Sequence, residues 1–79
     1  MNSLYLLTQS NNGGYDTYDS CVVVALTIED ARKVNPDGAW GKGWTAWASK
    51  PEQVEVEYIG KAAGALDAGT VICASFNAG

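Results

Sequence analysis

The chain has 79 residues, nine acidic against five basic groups, two cysteines and no histidine. That length leaves room for one domain, residues 1–79, whose folding buries about 60–65% of the unfolded surface. A net charge of −4 argues against duplex DNA or RNA as partners, which require a basic stripe, and no apolar run approaches the ~20 residues of a membrane span.

In chain order, "SLYLLTQ" (Ser3–Gln9) reads as a first strand ending at the turn cluster "SNNGG". The polar run "YDTYDS" (Tyr15–Ser20) follows, then an apolar stretch from Cys21 to Leu26 that suits a strand buried on both sides. "LTIEDARKVNPDG" carries a helix signature. Thr27 is placed to cap it, Glu29 and Asp30 sit near its positive end, and Ile28, Ala31 and Val34 share one face. The tryptophan segment "AWGKGWTAWASKPEQ" reads as an ordered loop, because Gly41 and Gly43 oppose a helix, and "SKPE" suits a short capped turn. "VEVEYIGKA" alternates, with Val54, Val56 and Tyr58 inward and Glu55 and Glu57 outward. Thr70–Phe76 reads as a final apolar strand. The expected fold is α+β, in the order β-β-α-β-β: a mainly antiparallel four-stranded sheet with one helix packed on it.

Inventory limits the chemistry. Without histidine there is no Ser–His or Cys–His pair, and no phosphate-binding glycine motif occurs. A zinc site would rest on two thiols and carboxylates alone, so neither metal nor cofactor is expected. Cys21 and Cys73 each lie in an apolar run, which suits two reduced buried thiols, with a Cys21–Cys73 disulfide as the alternative. Asp16 and Asp19 are close enough to act as acid and base, but aspartates at a turn more often hold backbone N–H groups. The chain is expected not to be an enzyme.

Binding chemistry is better represented. In an extended "YDTYDS", Tyr15, Thr17 and Asp19 face one way and Asp16, Tyr18 and Ser20 the other. Tyrosine rings stack on bases, while Ser, Thr and Asp bond polar edges; stacking contributes about 1–3 kcal/mol per base. The bland alternative is a turn that caps itself. Trp40, Trp44 and Trp47 are more tryptophan than a small core needs from one loop, so at least one is expected in the core and others at an interface or pocket wall. Lys42 suits a phosphate contact or plain solvated surface, and Phe76 and Asn77 are available to line a site. The candidate ligand-binding set is therefore Tyr15, Asp16, Thr17, Tyr18, Asp19, Ser20, Trp40, Lys42, Trp44, Phe76 and Asn77.

"LYLLTQ", "GYDTYDSCVVVA", "EDARKVNP", "VEYIGKA" and "VICASFNAG" together span nearly the whole chain. They resemble a family of small phage and prophage proteins and, beyond it, the viral sponge proteins that counter the CBASS defence. The resemblance implies an oligomer that binds a cyclic dinucleotide such as cyclic GMP-AMP without cleaving it, in the host cytosol. The acidic balance sits awkwardly with an anionic ligand, for which Arg32, Lys33, Lys42, Lys50 and Lys61 are the basic groups present. A protein–protein inhibitor such as an anti-CRISPR, using the tryptophan loop and the Glu52, Glu55 and Glu57 edge, or a phage accessory protein, are the competing expectations. A homo-oligomer is expected on physical grounds as well, because so short a chain gains stability by association. The start "MNSLYLLTQS" lacks the basic and cleavage features of a signal peptide, which agrees with a cytoplasmic location.

Overall fold

The computed structural model describes residues 2–13, 16–38, 40–41, 45–64 and 66–77, with Asn77 by its backbone only. Four strands, β1 (Ser3–Thr8), β2 (Thr17–Ala25), β3 (Glu55–Lys61) and β4 (Val71–Asn77), form one antiparallel sheet in the order β3-β1-β2-β4. One helix, α1 (Ile28–Arg32), and a 3-10 turn, Pro51–Gln53, complete the described elements. The α+β fold expected from the sequence is the one observed.

Alternation along the strands sends one set of side chains to the core. Tyr5 lies opposite Val23 and Leu7 opposite Cys21. These four, with Ala25, pack beneath Ala31 of α1 and against Trp47, Ala48 and Val54. Val56 completes the face from β3, as the sequence alternation requires. Tyr58 also points this way, meeting Tyr5 edge-on with ring centroids 5.8 Å apart, although it stays 54% exposed at the sheet margin.

Thr27 caps α1 through its hydroxyl, which accepts the Asp30 N–H at 3.1 Å. The helix is shorter than its sequence signature. It ends at Arg32, with Lys33 as C-cap, and Ile28, expected inward, is 48% exposed. A five-residue helix has too little length to turn a whole stripe toward the sheet, so Ala31 is buried in the helix and Val34 packs just beyond it. Arg32 anchors the helix by donating from Nη1 to the Val54 carbonyl. The 3-10 turn is held from its far end. Gln53 Oε1 accepts the N–H groups of Ser49 and Lys50 at 3.0 and 3.1 Å, while the Ser49 hydroxyl meets Asn11 instead of capping.

The reverse face of the sheet carries Leu4, Leu6 and Thr8 from β1, Ser20 and Val22 from β2, and Cys73 and Ser75 from β4, by the same alternation. The crossover from β3 to β4 bounds one end of it. Ala62 donates to the Asn2 carbonyl, Asn2 Nδ2 to the Leu66 carbonyl, and Gly69 to the Val24 carbonyl. Val24 is fully buried at this end, whereas Leu4, Leu6 and Val22 are half-buried.

Both cysteines are reduced. Cys21 is buried, as expected, but Cys73 is exposed. Cys73 lies opposite Val22 and Ala74 opposite Cys21, so the two sulfurs leave opposite faces of the sheet and cannot be bridged without moving the backbone.

Candidate functional site

The polar run turns into strand sooner than its composition suggests. Asp16 adopts the left-handed conformation, φ 61°, which a short acidic side chain tolerates better than most. β2 then begins at Thr17, not at the apolar residue Cys21. Opposite β4, Tyr18 pairs with Phe76 but Ser20 with Ser75, so Asp19 is an extra residue, a β-bulge. The bulge changes which side chains share a face. Tyr18 packs against the core, whereas Ser20 sits half-buried on the reverse face. Simple alternation would have placed Tyr18 and Ser20 together. Thr17 is buried, with 4% of its surface exposed, and Asp16 and Asp19 are exposed.

Two glutamine- and asparagine-centred hydrogen-bond sets hold this end of the sheet. Gln9 is 8% exposed; its Nε2 donates to the Asn12 and Tyr18 carbonyls and its Oε1 accepts the Asn12 N–H, each at 2.7 Å. Asn12 Nδ2 in turn donates to the carbonyls of Thr45 and Trp47 at 2.6 and 3.2 Å. The Tyr18 N–H reaches the Ala46 carbonyl at 2.7 Å. The β1–β2 connection, the start of β2 and the tryptophan segment are therefore joined. Neither Gln9 nor Asn12 forms a recognisable motif, since their partners lie up to 35 residues away.

The end of β4 joins the same corner. Asn77 pairs with Thr17 along the backbone, and the Phe76 ring lies 4.8 Å from that of Tyr18 at a tilt of 60°. Phe76 is 46% exposed, so this aromatic pair has one ring in the core rim and one open to solvent. Trp40 packs against the same core, its Nε1 donating to the Lys33 carbonyl at 2.8 Å. Among the described residues, Trp47 is the tryptophan of the core proper, fully buried. The polar run, the tryptophan segment and the final strand, separate in sequence, thus meet at one end of the sheet. Tyr15, Lys42 and Trp44 lie outside the described residues, as does the side chain of Asn77.

A second feature lies on the reverse face. A groove of about 340 Å³ is lined by Leu6, Thr8, Glu55, Val56 and Glu57. It opens onto a cross-strand row in which Glu55, Thr8, Ser20 and Ser75 stand side by side. Among the described residues, Ser20 is the one candidate that belongs to this face as well as to the polar run. The two carboxylates make the groove a poor host for an anion and a fair one for a basic or hydroxyl-rich group.

Among the described residues no group of three or more His, Cys, Asp or Glu is placed to hold a metal ion, and no helix is long and apolar enough to cross a membrane. Burial, and then the neighbouring Cys73, push the Cys21 thiol up to about 12, which makes it an inert core group and no nucleophile. Comparison with protein families, with curated proteins and with solved structures gives no match.

Proposed function

We propose that this chain is a non-enzymatic phage-type immune-evasion protein that sequesters a small cyclic dinucleotide, acting as a sponge in the host cytosol. One observation carries the reading: the Tyr18–Phe76 aromatic pair, the exposed Asp16 and Asp19 and the tryptophan segment converge at one end of the sheet. An exposed ring beside exposed hydrogen-bonding groups suits a nucleobase, which offers one apolar face and a polar edge. Phe76 supplies the face, Tyr18 backs it from the core rim, and Asp19 is exposed at the bulge beside them. Thr17 supports this corner from inside. For the ligand's phosphates the exposed Lys33 and Lys50 are basic groups on offer.

Titration with cyclic GMP-AMP, and with a linear dinucleotide for comparison, tests this. A ligand at 100 times its Kd adds about 2.7 kcal/mol to stability, a rise of many degrees in a domain of this size. Phe76→Ala is expected to weaken uptake at least tenfold, about 1.4 kcal/mol. No thermal shift with any cyclic dinucleotide would overturn the reading. The second reading, an inhibitor that binds a host protein, draws on the half-buried Leu4, Leu6 and Val22 beside Glu55 and Glu57. It expects no nucleotide response, and loss of partner binding on Leu6→Lys.

A further inference from the structure

The two edges of the sheet differ in kind. β3 carries Glu55, Glu57 and Lys61 and is broken by a bulge between the Tyr5 and Leu4 pairings, where Gly60 takes φ 154°. Charges and bulges are the devices by which an edge strand resists pairing with another chain. β4 reads "VICASFN", with neither an acidic nor a basic residue. Its residues Val71 to Phe76 are all exposed, including Val71 at 36%, Ile72 at 45% and Phe76 at 46%. Its ladder with β2 is irregular at two places, at Ile72 on β4 and opposite the Asp19 bulge of β2, and between them Cys73, Ala74 and Ser75 pair in unbroken register.

We infer that β4 pairs antiparallel with β4 of a second copy of this chain, joining two sheets into one of eight strands. Charge selects the occupant. A strand that meets itself across a two-fold axis sets each charge near its own copy, and β4 carries none to repel, whereas the chain around it has a net charge of −4. A strongly acidic or basic segment would find nothing on β4 to read. Face matching selects the register. Pairing about Cys73 or about Ala74 keeps the core-side and reverse-side rows continuous, so Ser75 and Cys73 of one copy extend the other's reverse face. The inference stands apart from the ligand reading, since it uses no nucleotide contact.

Cys73 makes the pairing readable. In either register the two Cys73 side chains are directly opposite or diagonal, with Cβ atoms about 4.5–8 Å apart, while Cys21 is buried and out of reach. A short bis-maleimide applied to the whole protein is expected to give a covalent species of twice 8.3 kDa, lost on Cys73→Ser. Sedimentation over a concentration series is expected to show a dimer. Ala74→Lys is expected to give a monomer with its thermal melt retained, and Ile59→Lys, on the other edge, to leave the dimer intact. A monomer at every concentration, or no cross-link through Cys73 in the unmodified chain, overturns the inference. So does a dimer that Ile59→Lys disperses and Ala74→Lys does not. If Ala74→Lys fails to fold, the cross-link decides alone.

Discussion

Trp47 offers the sharpest test of how this small core is held together. Its side chain is fully buried, and its indole N–H has no acceptor among the described residues. Truncation to alanine removes the largest buried side chain of the core and costs about 3–5 kcal/mol. A chain of this length has roughly 4–12 kcal/mol of total stability, so Trp47→Ala is expected to leave the protein largely unfolded at 37 °C. Trp47→Phe separates two terms. It forfeits part of the ring's burial and opens a small cavity, a loss of about 1–3 kcal/mol. It also deletes a buried unpaired donor, whose desolvation costs about 1–3 kcal/mol. The two nearly cancel, and Trp47→Phe is expected within about 1 kcal/mol of the parent, or roughly 4–8 °C in Tm. Urea unfolding followed by far-ultraviolet circular dichroism measures both variants without relying on the tryptophan signal. If phenylalanine proves as damaging as alanine, the indole N–H has an acceptor and its deletion brings no gain.

Gln9→Leu keeps the volume of the side chain but removes three hydrogen bonds at a nearly buried position; a loss of about 2–3 kcal/mol by urea unfolding is expected, and a change under 0.5 kcal/mol would show that water replaces them. Val23→Asp, at a fully buried site of a central strand, is expected to abolish folding, since an unpaired buried charge exceeds the stability margin; a native-like melt would refute the core assignment. Cys21 gives a pH signature. Its thiol is held up to about 12 in the folded chain against about 8.5 when unfolded, so between these values only the unfolded state releases the proton. The Cys21 contribution to stability is therefore fully present below about pH 8.5 and falls by up to about 1.4 kcal/mol per pH unit above it. Cys21→Ala is expected to flatten that decline relative to the parent, and parallel curves would refute the cause.

Most of the fold was legible because its strands obey simple rules. β1 and β4 lie within one residue of their sequence bounds, and the alternation in "VEVEYIGKA" separates Val56 from Glu55 and Glu57 as the structure does. The Thr27 cap was legible too, since its chemistry is local. The candidate corner was harder. A bulge at Asp19 has no residue signature and reverses the side on which Tyr18 falls. Gln9 and Asn12 act through partners in other segments, so their roles exist only once the chain has folded. Ile28 followed the helical spacing, yet the helix ends too soon to use it.

The strand order has a consequence for how the chain is made. β1 and β2 are neighbours in sequence and in the sheet, so this hairpin can form before the rest of the chain is available. The far side of β2, however, waits for β4, whose first residue is Val71. Until then that flank is bare. The bare flank is the "CVVVA" stretch, β-branched and uncharged, the kind of segment that aggregates or recruits chaperones when left unpaired. β4 is thus the late piece of assembly, and a ribosome stalled before it would release a chain whose most adhesive strand has no cover.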